Sequence, residues 1–266
     1  MRRSGLFWGI ILVLVGVIFL LDNLGVFSSL SINIWGIVLP SFMLLAGAWL
    51  VYGAITGQKR FAKSSFSIPS GNYEEATIDI EFHAGELIVS AASDPEVLLE
   101  GDFEGGVKTD QKLIASGIHA SLETPGDLER TTFTGYPHLT WDIRLNPHTP
   151  LQLDITTGAV EADIDLRKLQ IRDFNFETGA SKMQIYFPEI AGHVHAKIKG
   201  GATDLNIHIP QTVPARIITD SGLSTFHIDE GRFLKTGNIY ASVDFEAADD
   251  SLELILELGL STVDIS

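Results

Sequence analysis

Apolar and polar residues alternate through most of the C-terminal three-quarters of this chain, in short runs that meet at glycines. Ile155-Thr-Thr-Gly158-Ala-Val-Glu-Ala162-Asp-Ile164 is followed by Phe176-Glu-Thr-Gly179-Ala-Ser-Lys-Met183-Gln-Ile185 and by Ile198-Lys-Gly-Gly201-Ala-Thr-Asp-Leu205-Asn-Ile207. Weaker copies centre on Gly222, with Leu223, Phe226 and Ile228, and on Gly259, with Leu260, Val263 and Ile265. Gly158, Gly179, Gly201 and Gly222 are spaced 21, 22 and 21 residues apart. A fixed period of this size marks a repeat architecture. Apolar residues sit five and three positions before most of these glycines and return four and six positions after them. Period-two alternation on both sides predicts two strands, each with one buried face.

The glycine between them is expected to turn the corner at positive φ, which costs glycine nothing sterically. The Ala or Leu that follows is expected to tuck into that corner. One such unit cannot bury its own apolar face, whereas a stack can. The chain therefore predicts a parallel β-solenoid-like stack with rungs of about 21 residues, in which Ile164, Ile185, Ile207, Ile228 and Ile265 form one core ladder. A β-sandwich with recurring hairpins is the alternative. Upstream, Ile78, Ile80 and Phe82 lead to Gly85, then Leu87 and Val89 follow, a looser copy that adds Gly85 to the corner glycines. Leu139, Trp141, Ile143 and Leu145 alternate into Asn146-Pro147. Arg232 to Ala248 interrupts the period and reads as an inserted hairpin turning at Thr236-Gly237-Asn238. The last strand is expected to end the stack, exposed or covered by that hairpin.

The N-terminal quarter has another pattern. Residues 6–24 and 33–55 are long apolar runs, each of a length that spans a bilayer as a helix. Trp8, Trp35, Trp49 and Tyr52 lie near their ends, where aromatic belts form. These runs predict a transmembrane hairpin over residues 1–56, a linker over 57–70 and the β domain over 71–266. Arg2 and Arg3 precede the first run, Lys59, Arg60 and Lys63 follow the second, and the loop between has no Lys or Arg. The positive-inside rule then places both termini in the cytoplasm, giving a multi-pass membrane protein with a cytoplasmic C-terminal domain and the lipid bilayer as a partner.

Charge sharpens this division. Residues 1–63 hold five Lys/Arg and one acid, a net +4, and the remainder holds 13 Lys/Arg against 33 Asp/Glu, a net −20. So acidic a domain is a poor nucleic-acid binder, because phosphate neutralisation needs a basic patch. The chain has no cysteine, which excludes disulfides and thiolate metal sites. His193-x-His195 places two imidazoles on one strand face, a spacing compatible with a metal, with His208 one rung on. Asp163-x-Asp165 places two carboxylates on one face, as glycoside hydrolysis requires. The His pair lacks a third ligand in sequence, and the Asp pair faces outward among rungs that carry no matching acids. No phosphate loop, nucleophile elbow or nucleotide fingerprint is present. The expectation is a non-enzymatic protein with no catalytic residues, no metal and no cofactor.

Two stretches together resemble the LiaF-like family of bacterial membrane proteins. One is the hairpin, with Gly9-Ile-Ile-Leu-Val-Leu-Val-Gly16, Phe19-Leu-Leu-Asp-Asn-Leu-Gly25 and a second run led by Trp35. The other is the body: Gly85-Glu-Leu, Trp141-x-Ile-x-Leu-Asn146, Leu151-x-Leu153, the Gly-Ala phrases and the closing Tyr240-x-Ser-x-Asp-Phe are similar to the family's toast-rack domain. The second run lacks the usual Trp-Pro start, since Pro40 lies five residues on. The resemblance implies a membrane-anchored regulator or scaffold in cell-envelope stress signalling. It would act by contact with a membrane sensor kinase, without any catalytic residue of its own, and as a candidate homo-oligomer. An adhesin-like or structural solenoid module is the alternative.

Overall fold

The computed structural model describes residues 62–71, 73–114, 117–126, 139–189 and 192–266. They form one 13-stranded sheet system. In chain order the strands are β1 (Lys63–Pro69), β2 (Glu75–Ala91), β3 (Val97–Glu104), β4 (Lys108–Leu113), β5 (Gly117–Glu123), β6 (Leu139–Leu145) and β7 (Pro150–Asp165). β8 (Gln170–Tyr186), β9 (His193–His208), β10 (Ala215–Ile228), β11 (Leu234–Thr236), β12 (Ile239–Ala241) and β13 (Ser251–Ile265) follow. A 3-10 turn at Phe245–Ala247 is the one helical element among the described residues.

Each rung is a single long strand, not a pair of strands joined by a turn. In β7 the buried positions are Leu151, Leu153, Ile155 and Thr157, then Val160, Ala162 and Ile164. The buried parity switches from odd to even across Gly158. Side chains alternate faces along a strand, so a switch of parity means that the strand bends and keeps both arms facing one core. β8, β9 and β13 repeat this switch across Gly179, Gly201 and Gly259. The rungs pair in parallel in the order β2, β7, β8, β9, β13, β10. This is a solenoid-like stack, and parallel pairing separates it from the antiparallel hairpins of the sandwich alternative.

Register makes the core a set of ladders. Val89, Ile164, Ile185, Ile207, Ile265 and Ile228 are successive partners across the stack. Ile164, Ile185 and Ile207 are fully buried, Ile265 is nearly so, and Ile228 is half-buried. In the first arms Ile78, Leu153, Phe174, Ala196, Leu254 and Ile217 form a second ladder. Phe174 sits beside Ala196 there, a large side chain next to a small one, and both are buried.

The glycines stack too, but for a different reason from the one expected. Gly158, Gly179, Gly201, Gly222 and Gly259 are absent from the positive-φ glycines, which include Gly85 at φ 129°. What requires glycine is the neighbouring rung. A Cβ on Gly179 would lie 2.9 Å from the Gly158 carbonyl oxygen, and one on Gly201 2.6 Å from that of Gly179. Gly85 falls outside this row: it is registered with Val160, and His83 lies opposite Gly158. At Gly85 the strand β2 leaves one partner for another. Its first arm pairs with β5 and its second with β6, and a Cβ at Gly85 would meet the Leu139 carbonyl at 2.1 Å.

Strand order corrects a further expectation. β13 does not end the stack; it inserts between β9 and β10. Its Leu252, Leu254, Leu256 and Leu258 suit an interior parallel strand, while the second arm of β10 is left more exposed at the end of the stack. The expected hairpin is present as β11 and β12, with Gly237 at φ 64° in the turn, and β12 covers Arg216 to Ile218 of β10. Arg232 anchors the inserted segment by donating to the carbonyls of Ile209 at 2.8 Å, Pro210 at 2.5 Å and Val213 at 2.9 Å. Burial pushes this guanidinium below its usual pKa.

The expected fold class set a transmembrane hairpin before the β domain, and the described structure corrects it to an all-β domain. Among the described residues no helix is long and apolar enough to cross a membrane. Their apolar residues recur with period two and are spent on a protein core, whereas a spanning helix needs about 20 predominantly apolar residues in succession. The runs at 6–24 and 33–55, with Arg2, Arg3, Lys59 and Arg60, lie outside the described residues. The multi-pass localisation with a cytoplasmic C-terminal domain is corrected by the same finding. Lys63, read as an orientation charge, opens β1 and lies 3.5 Å from Asp102, so strand occupies much of the expected 57–70 linker.

Three substitutions test this packing by denaturant unfolding followed by circular dichroism. Ile185→Ala should cost about 2–5 kcal/mol, since the ladder on both sides prevents collapse of the cavity. Ile228→Ala, at the half-covered end, should cost about 1 kcal/mol. Equal losses would contradict the ladder. Arg232→Met should destabilise by about 2–3 kcal/mol by leaving three carbonyls without a charged donor.

Candidate interaction surface

The residues singled out for chemistry are dispersed. His193 and His195 do share the outward face of β9, on either side of buried Val194. His193 Nδ1 is 2.7 Å from Ser251 Oγ, and His195 Nδ1 is 3.8 Å from Glu253 Oε1. His208 lies at the far end of the same strand, stacked on Tyr186 with ring centroids 4.6 Å apart and bonded to Ser266. No group of three metal-ligating side chains occurs among the described residues. Asp163 and Asp165 face outward, but Asp165 is held by Arg167, whose Nε and terminal nitrogen donate to its two oxygens at 2.9 and 2.7 Å. That hydrogen bond lowers the Asp165 pKa below the ordinary carboxylate value, the reverse of what a general acid needs.

The outward positions of the first arms form polar rows. Asp154, Asn175 and Lys197 are successive partners, and Asn175 donates to Asp154 at 2.7 Å. Glu177, Lys199 and Glu257 form the next row, where Lys197 reaches Glu257 at 2.5 Å and lowers its pKa. Cross-strand pairs of opposite charge support the sheet by a few tenths of a kcal/mol up to about 1 kcal/mol each. These rows therefore read as solvated faces of the stack.

A different strip lies along the corner. The residue after each glycine does not tuck inward. Ala159, Ala180, Ala202, Leu260 and Leu223 are successive partners on the outside of the bend, and all five are exposed. Leu260 is 63% exposed and Leu223 is 80% exposed. Beside them runs the exposed glycine row, which presents bare backbone. The result is a narrow apolar ridge crossing five strands and ending in two leucines. The Gly-Ala phrase was visible in sequence, but its orientation was not, because the parity switch at the bend decides it.

Residues 56–229 match the family model described as the N-terminal domain of toast_rack, DUF2154. No curated protein sequence matches the chain. Among solved structures, a candidate cell adhesion protein from Clostridium sporogenes ATCC 15579 aligns with TM-score 0.69 at 19% identity, over 77% of this chain and 98% of that one. A candidate adhesin from Bacteroides fragilis NCTC 9343 aligns over 77% and 97%, at 9% identity and TM-score 0.31, too weak to carry an argument. The first likeness concerns the fold.

Asp165 offers a direct check on the site chemistry. Its carboxyl resonance should titrate below the ordinary Asp range, so its contribution to stability is present above the unfolded-state pKa and lost as pH falls through the folded one. Arg167→Ala should return the midpoint toward the ordinary value. A midpoint raised above that value in the intact protein would revive the general-acid reading.

Proposed function

The chain belongs to the toast-rack family, and from that premise we propose that it is a non-enzymatic interaction module that regulates envelope-stress signalling by contact with a sensor kinase. The observation that supports this best is the corner ridge. Exposed apolar strips are unusual on a monomer unless they contact something, and this one is set on a rigid stack with Leu260 and Leu223 at its end. The acidic body around it would steer a basic region of the partner toward it. The fold shared with the Clostridium sporogenes protein supports a second reading, an adhesion-type module.

One set of strains separates these readings. A photo-crosslinking residue at position 180 should capture a histidine kinase, and deletion of the gene should change transcription of a stress-response operon under a cell-wall antibiotic. Ala180→Lys should mimic deletion while leaving stability within about 0.5 kcal/mol, because the site is exposed. Unchanged transcription in all strains, with and without antibiotic, would remove the regulator reading. Crosslinks to extracellular material in its place would favour adhesion.

A further inference from the structure

The sheet has several edges, and most of them are blunted. β1 carries Lys63 at one end and Pro69 at the other. β4 carries Lys108 and Lys112. β11 is three residues long, with Lys235 at its centre. Charged, short or proline-bearing edges discourage pairing with another chain. The second half of β10 is longer and carries no Lys, Arg or Pro; its one acid, Asp220, stands at its start. β12 covers only Arg216 to Ile218, and Thr219 bonds Asn238, so among the described residues no strand pairs with the outer side of residues 220–228. That stretch reads Asp-Ser-Gly-Leu-Ser-Thr-Phe-His-Ile, without Lys, Arg or Pro.

The core is also open at this edge. Phe226 and Ile228 are half-buried, while their partners Val263 and Ile265 on β13 are buried. One more strand with apolar side chains at alternate positions would cover both. The charge around the edge selects what that strand carries. Asp220, Asp229 and Glu230 flank it, and residues 217–231 contain no Lys or Arg. Arg216 is engaged by Glu253 and Glu246, Arg232 by three carbonyls, and His227 by Asp264 at 2.9 Å. A second copy would bring the same acids to the same place, in a chain of net charge −16.

We propose that residues 220–228 of β10 form a docking edge for an extended, basic-ended segment of a partner protein, which adds a strand to the sheet and seats apolar side chains beside Phe226 and Ile228. Backbone hydrogen bonds would supply the attachment, and the alternate pockets and acidic flanks the selectivity. The inference rests on the reading that the protein works by protein contact and adds the segment's chemistry and seat.

The probe is a labelled peptide, Lys-Arg-Val-Thr-Ile-Thr-Val-Thr-Arg-Lys, titrated into the full-length protein by fluorescence anisotropy, with hydrogen exchange mapping the contact. Saturable binding should slow exchange within 220–228. Replacing the four basic residues by Glu, or N-methylating the apolar stretch, should weaken binding at least about tenfold. Because Leu223 and Thr225 are exposed, L223K/T225K should fold and lose binding, whereas L223E/T225E should keep or tighten it. Absence of saturable binding, protection elsewhere, or equal binding by L223K/T225K would overturn the proposal. A protein dimer that both double variants dissociate would overturn it in favour of a second copy. Should L223K/T225K lose its β signal in circular dichroism, the methylated peptide decides: affinity equal to that of the unmodified peptide overturns the proposal. Failure here leaves the transcription experiment, which probes the ridge, unaffected.

Discussion

The whole stack depends on backbone passing against backbone at the bend. Gly158 lies over the His83 carbonyl, with a notional Cβ only 2.5 Å from its oxygen, and each further glycine of the row lies over the one before it in the stack. A Cβ essentially never comes within 3.0 Å of a heavy atom beyond its own residue and chain neighbours, so a residue with a Cβ would push the rungs apart at the corner. The row also fixes register. A slip of one residue would set Ala159 or Ala180 on a carbonyl and turn every ladder side chain to the opposite face. One column of glycines therefore holds two arms of the sheet in step.

The same constraint accounts for the candidate surface. A strand that bends through glycine and switches parity leaves the following residue outside the bend. In β7, β8 and β9 that residue is Ala, and in β13 and β10 it is Leu. The ridge thus broadens toward the β10 end, where the outer side of residues 220–228 is unpaired and Phe226 is half-covered. Packing and interaction potential meet at one end of the stack because its pairing finishes there.

Much of this was legible from the chain itself. The 21- and 22-residue spacings place Gly158, Gly179 and Gly201 in one column, and the alternation around them identifies Ile164, Ile185 and Ile207 as a ladder. The hairpin at Gly237 also follows from its turn residues. The conformation of the glycines was not legible, since a local rule treats each rung alone while the contact that requires glycine lies between rungs. Gly85 resembled the others because it too sits among alternating apolar residues, yet its register and its φ set it apart. The insertion of β13 ahead of β10 depends on comparing the apolarity of two distant strands. The polar rows likewise emerge only once register is known: Lys199 between Glu177 and Glu257 cannot be paired by sequence spacing.

A Gly→Ala series along the row, measured by equilibrium unfolding, tests the close-passage account most directly. The gaps a Cβ would face are 2.4 Å at Gly259, 2.5 Å at Gly158, 2.6 Å at Gly201, 2.9 Å at Gly179 and 3.2 Å at Gly222. The loss of stability should follow that order, largest at Gly259 and smallest at Gly222, with Gly222→Ala within about 1 kcal/mol of the unaltered protein. Equal and small losses at all five positions would contradict it, because ordinary φ values give glycine no other reason to be there.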